Sequence, residues 1–97
     1  MNGMAISFDN RVIMPKDVLL SGVEGESVLL NLESERYFGL DEVGTRMLSV
    51  LTSSNSIQAA YETLLAEYDV DADLLRQDLI SLVDRLIAQG LVVIAPK

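Results

Sequence analysis

Leu30-Asn-Leu-Glu-Ser-Glu-Arg-Tyr-Phe-Gly-Leu40-Asp-Glu-Val-Gly44-Thr-Arg-Met-Leu48 decides the fold, because the hydrophobic period changes inside it. Glu33-Ser34 is a turn signal. Glu35 to Leu40 then reads as a strand, with Phe38 and Leu40 on one face and Tyr37 and Gly39 on the other. Asp41 has the character of a helix N-cap, and Glu42 falls in the electropositive first turn. Val43, Met47, Leu48 and Leu51 recur at helical spacing. A strand therefore runs straight into a helix, and Asp41 divides a strand-rich half from a helical half.

Toward the N-terminus the β-prone runs continue. Ser27 to Leu32 and Val18 to Val23 flank Glu24-Gly25, a tight-turn pair. With 35–40 they form an antiparallel meander of three strands: 18–23, 27–32 and 35–40. Two shorter runs precede it. Ala5 to Phe8 ends at Asp9-Asn10, and Arg11 to Met14 is stopped by Pro15, so an extra N-terminal strand over 4–8 is expected.

Toward the C-terminus, Thr52 to Ser56 is a loop rich in capping residues. Ile57, Ala60, Tyr61, Leu64, Leu65 and Tyr68 then form one apolar helical stripe. A third helix starts near Asp71 and ends at Gly90, a glycine in the position that follows a helix. Its Leu75, Leu79, Leu82, Leu86, Val83, Ile87 and Ile80 cover an arc of roughly 160°, wider than one core contact needs. Arg76 alone interrupts it. Either this helix packs on the core and on something else, or the small domain surrounds it more fully. Leu91-Val-Val-Ile94 is an apolar tail that could lie back on the sheet or the helices.

Ninety-seven residues suit a single α+β domain spanning 1–97. With 49% hydrophobic residues, the chain can bury a core. Cysteine and histidine are both absent. Disulfides, the usual zinc ligands, the commonest general base and the commonest thiol nucleophile are therefore missing. No pattern supports carboxylate, lysine or tyrosine chemistry in their place, so the expectation is a non-enzyme without metal or cofactor. The net charge is −8, and the basic residues do not cluster. Nucleic acid and anionic membrane are poor partners for such a surface; a neutral or basic peptide is a better one. No apolar run is long enough to span a bilayer, and Met1-Asn-Gly-Met4 lacks the marks of a signal peptide. A cytoplasmic protein is expected.

Three motifs carry no chemistry. Asp69-Val-Asp71-Ala-Asp73 begins like a calcium loop, but Leu74 and Ile80 stand where glycine and glutamate are required. Acidic residues at a helix start account for it. Gly22-Val-Glu-Gly25 lacks the Lys-Ser/Thr ending of a phosphate loop and reads as a hairpin. Glu33, Glu35, Asp41 and Glu42 read as turn and cap carboxylates. Arg36 to Leu40 is more informative. If this strand lies at a sheet edge, its unpaired N–H and C=O groups can accept another strand, which is a recurrent mode of peptide recognition. Gly39 leaves room for a second backbone.

The run from Leu30 to Leu48 resembles the sheet-to-helix passage of the pyrroloquinoline quinone synthesis protein D family. Leu64-Leu-Ala-Glu-Tyr68-Asp-Val-Asp, Asp78-Leu79, Leu82, Leu86 and Gly90-Leu91 extend the likeness, which covers about residues 17–94. The resemblance implies a winged-helix-like α+β fold, three strands followed by three helices. It also implies a leader-peptide binder, a RiPP recognition element of ribosomal peptide biosynthesis. Leu30 to Leu40 is especially similar to the stand-alone recognition proteins of lasso-peptide pathways, which hand the precursor's leader to a separate peptidase before a cyclase acts. The leader would pair antiparallel with the third strand, in a groove beside the third helix. The implied contacts are Arg36, Tyr37, Phe38 and Gly39 on the strand, and Leu75, Asp78, Leu79, Leu82, Val83 and Leu86 on the helix. The apolar ones would form pockets, and Asp78 would meet a basic group or a peptide N–H. Two other uses of the topology stay open: a winged-helix DNA-binding regulator, for which the third helix lacks groove-facing Arg and Lys, and a homodimer paired through the same edge strand.

Overall fold

The structure, a computed structural model, describes residues 6–96. Its elements run β1 (Arg11–Ile13), β2 (Val18–Val23), β3 (Glu26–Asn31), β4 (Arg36–Leu40), α1 (Glu42–Ser53), α2 (Ile57–Glu67), α3 (Ala72–Ala88) and β5 (Val93–Ala95). The meander and the three helices fall where the turn and cap signals put them. Glu24 and Gly25 take φ of 53° and 86° between the paired residues Val23 and Glu26, so both central positions are left-handed, as a two-residue type I′ hairpin requires. β2, β3 and β4 lie in that order, all antiparallel, and β4 is an edge.

The β3–β4 turn is built on Asn31. Its Oδ1 accepts hydrogen bonds from the N–H groups of Glu33 (2.9 Å) and Ser34 (3.2 Å), and its main-chain oxygen accepts one from Glu35 N (2.7 Å). Its Nδ2 donates to the carbonyl of Gly90, 3.0 Å away. One buried side chain thus shapes the turn before β4 and ties it to the end of α3.

Each helix begins on a side-chain cap. Asp41 Oδ1 accepts from Gly44 N (2.8 Å), Ser56 Oγ from Ala59 N (3.0 Å) and Asp71 Oδ1 from Asp73 N (2.8 Å) and Leu74 N (3.3 Å). The calcium-like run is therefore a cap. α3 ends in a Schellman motif: Leu91 N donates to Leu86 O and Gly90 N to Ile87 O, both at 2.9 Å, with Gly90 at φ 71°. This places Leu91 inside the core beside Val92.

At the chain ends one expectation is corrected and another, left open, is resolved. Ile6 to Phe8 is not a strand, and the rest of the strand expected over 4–8 lies outside the described residues. The carbonyls of Phe8 and Asn10 instead accept from Gln58 N and Ile57 N at 2.8 Å, so they serve the orphan donors of α2's first turn. Phe8 packs edge-on against Tyr61 at 5.9 Å, and the Arg76 guanidinium lies 4.1 Å from its ring centroid. The single charge in α3's apolar arc thus covers an aromatic ring. The apolar tail forms β5, which pairs antiparallel with β1, Val12 opposite Ile94. The extra N-terminal strand is thus Arg11–Ile13, and it joins a separate two-stranded sheet rather than the meander.

The core gathers Leu29 of β3, Leu48 and Leu51 of α1, Ile57 and Leu64 of α2, and Leu79 and Leu86 of α3, with Val12, Leu91 and Val92. α1 packs on α2, β1, β3 and β4. On its surface Arg46 donates to both carboxylate oxygens of Glu67, at 2.8 and 2.7 Å, joining α1 to α2. These bonds, and then the guanidinium charge, hold the Glu67 carboxyl below its ordinary value. A depressed carboxylate stabilises the fold above its unfolded-state pKa, and that contribution is lost as pH falls through the folded value. Urea unfolding of Glu67→Gln should therefore show a shallower fall in stability through the carboxylate range than the parent shows.

Candidate functional site

The direction of β4's main-chain groups follows from the sheet. Leu32 N donates to Asp17 O at 2.9 Å, one step beyond the Val18–Asn31 pair. In an antiparallel ladder, directly bonded pairs alternate with unbonded ones. The even-numbered residues of β3 therefore bond to β2 and the odd-numbered ones to β4. The β4 partners of Asn31, Leu29 and Ser27 are Arg36, Phe38 and Leu40. Tyr37 and Gly39, between them, turn their N–H and C=O groups to the free edge. This edge offers two donors and two acceptors at strand spacing.

A hollow of about 430 Å³ lies along that edge, lined by Phe38, Gly39 and Leu40 of β4, Asp41 at the cap, Val43, Gly44 and Met47 of α1, and Asp78, Ser81, Leu82 and Arg85 of α3. Gly44 permits the tight passage from β4 into α1, since a Cβ there would stand 3.2 Å from Leu40 Cδ2 and 3.3 Å from Asp41 Oδ1. α3 runs antiparallel to β4: the Arg85 guanidinium lies 5.6 Å from the Phe38 ring centroid, and Arg36 Nη1 donates to Gln89 Oε1 at 3.4 Å. An apolar pocket of about 120 Å³ continues from the hollow toward the start of α3, between Val43, Met47, Tyr68, Val70, Leu74, Leu75 and Asp78.

Of the residues expected at the site, Phe38, Gly39, Asp78 and Leu82 line the hollow, and Leu75 and Asp78 line the adjoining pocket. Arg36 stands on the hollow's face of the sheet, at its far end. Tyr37 projects from the opposite face and is 72% exposed. A Cβ at Gly39 would meet nothing within 4 Å, so its surroundings are open. Leu79, Val83 and Leu86 correct the expectation: all three are fully buried and present no side-chain surface to a ligand. They hold α3 against the core. Ser81 and Arg85 were not anticipated. With Asp78 and Leu82 they fall at i, i+3, i+4 and i+7, one face of the helix. That face is half polar, and a search for apolar stripes passes over it. Among the described residues no group of three or more acidic side chains is placed to hold a metal ion, and no helix is long and apolar enough to cross a membrane.

An open antiparallel edge laid beside a helix, with a hollow between them, defines an open-edged α+β domain of winged-helix-like outline. The chain belongs to the family of coenzyme PQQ synthesis protein D (PqqD), whose model matches residues 26–92, from the start of β3 to the core residue Val92. A solved structure of TbiB1 in complex with the TbiA(beta) leader peptide is 31% identical, with a TM-score of 0.76 over 82% of this chain and 93% of that one. A lasso peptide synthetase B1 complexed with the leader peptide shares the fold at 21% identity, with a TM-score of 0.74 over 88% of this chain and 98% of that one. No curated protein matches the chain.

Proposed function

We propose that this protein binds the leader of a ribosomally made precursor peptide, in a lasso-peptide pathway, as an added strand on β4. The observation that carries the reading is the outward turn of the Tyr37 and Gly39 main-chain groups over a hollow walled by α3. Strand addition takes its affinity from such bonds and its selectivity from side-chain pockets alongside. The leader runs antiparallel to β4, so its N-terminal part enters near Leu40 and its C-terminal part leaves near Arg36. Alternate leader side chains face the hollow, where Phe38, Leu82, Met47 and Val43 provide apolar contact. Upstream of them, the pocket between Val43, Leu74 and Leu75 takes one further apolar side chain. TbiB1, 31% identical, holds a leader peptide, which supports the same occupant here. The protein performs no chemistry itself; it presents the leader to a separate peptidase, and a cyclase acts afterwards.

The test uses isotope-labelled protein and a synthetic lasso-precursor leader peptide that binds it. On saturation the amides of Tyr37 and Gly39 should become protected from solvent exchange, with cross-strand contacts to the peptide. Binding that leaves both amides unprotected would reject strand addition.

A further inference from the structure

The site carries opposite charges at its two ends. At the Leu40 end, Asp41 and Asp78 line the hollow between β4 and α3. On the other face of the sheet, at the same end of β4, a second hollow of about 490 Å³ is lined by Glu24, Glu26 and Asp41 together with Gly39 and Leu40. Carboxylates therefore bracket this end of the open edge from both faces. No basic residue lines the second hollow, and the first contains one, Arg85. Arg85 lies over Phe38, two turns along α3 from Asp78, about 10 Å away at helical rise. Arg36 follows at the far end of β4. Among the described residues the one ion pair is Arg46–Glu67, so Asp78, Arg36 and Arg85 are not neutralised by one another.

We infer that the groove reads the order of charge along its ligand, and that it selects a peptide with a basic side chain near its N-terminal end and an acidic one about four residues further on. This rests on antiparallel strand addition as proposed above. Arg36 and Leu40 bound that interval on β4, and their side chains share the face that looks into the hollow. Peptide residues opposite them in an antiparallel pair point the same way. A basic residue opposite Leu40 meets Asp41 and Asp78, and an acidic residue opposite Arg36 meets Arg36 and Arg85. The reversed order brings like charges together at both ends. Charge order thereby fixes direction and register, which main-chain bonds alone leave free to slip by two residues.

A phage-displayed library of random linear peptides, selected on the whole chain, tests this. Enriched sequences should carry Lys or Arg upstream of Asp or Glu at that spacing. Exchanging the two charges within one enriched peptide, made synthetically, should weaken binding roughly three- to tenfold. The loss should shrink as salt is raised. The Asp78→Arg/Arg85→Glu variant alters two exposed positions and should prefer the exchanged peptide. Enrichment without charge order, with the opposite order, or with equal affinity for parent and exchanged peptides overturns the inference and leaves strand addition standing. No enrichment of any peptide overturns strand addition and the inference with it. The peptide exchange on the parent protein decides the matter even where the double variant fails to fold.

Discussion

Tyr37→Pro should abolish leader binding while the protein stays folded. The Tyr37 N–H points away from β3, so its removal costs the β3–β4 ladder no bond. Proline is tolerated at such edge positions, and its fixed φ is compatible with an extended strand. The ring Cδ then occupies the site where the N–H was offered. One donor is lost, a ligand carbonyl is left without its partner, and the incoming backbone meets a steric block. Together these should cost at least about 2 kcal/mol, roughly a thirtyfold loss of affinity. Phe38→Pro is the contrasting substitution. The Phe38 N–H points inward to Leu29, so proline there should break the sheet and lower stability as well. Fluorescence anisotropy for binding, with thermal unfolding alongside, separates the two. Unchanged affinity in folded Tyr37→Pro would mean that the ligand does not use this edge.

The second large effect is expected at Asn31. Replacing it by alanine removes two bonds that shape the turn before β4 and the one bond to Gly90 O. These are polar groups at a buried site, and leaving them unpaired should cost about 2–4 kcal/mol of stability. Asn31→Asp keeps an acceptor for the Glu33 and Ser34 amides. It sets a carboxylate against the Gly90 carbonyl, so it should recover part of the loss and no more. Gly90 is constrained from the other side, because a Cβ there would stand 3.1 Å from Asn31 Nδ2 on a backbone at φ 71°. Since Asn31 holds the start of β4 against the end of α3, Asn31→Ala should also weaken leader binding under conditions where it remains folded. Urea denaturation and binding measured on the same samples check both claims.

Local chemistry made most of the fold legible. Glu24-Gly25 marks a two-residue hairpin, Asp41, Ser56 and Asp71 cap helices, and Gly90 ends one; each of these signals acts within a few residues. Arg11 to Met14 was legible as a β-prone run, but its pairing with β5 was not, because the partners lie at opposite ends of the described residues and three-residue strands carry almost no period. The apolar run around Ile6 and Phe8 resembled a strand for a related reason. Its hydrophobicity is satisfied by Tyr61 and by the face it offers Arg76, which no local pattern shows. The condition set on Arg36 to Leu40, that the strand lie at a sheet edge, is met by β4. On α3, Leu75, Leu79, Leu82, Val83 and Leu86 are all buried, and only packing separates Leu82 and Leu75, which reach the hollow and its adjoining pocket, from the other three. Ser81 and Arg85 were missed because polar residues beside an apolar stripe look like ordinary solvent-facing positions.

The pairing of Arg11 with Ala95 and of Ile13 with Val93 has a consequence for how the chain folds. Each contact closes nearly the whole sequence into a loop, whose entropic cost must be met before the pairing is rewarded. The β2–β4 meander and the helices, made of near neighbours, can form first. The terminal ladder should therefore be the last structure to assemble. Yet Val12, Leu91 and Val92 place their side chains in the core, so this late step locks the domain rather than decorating it. Substitutions at Val12 should speed unfolding while leaving the folding rate almost unchanged, the signature of contacts absent from the transition state.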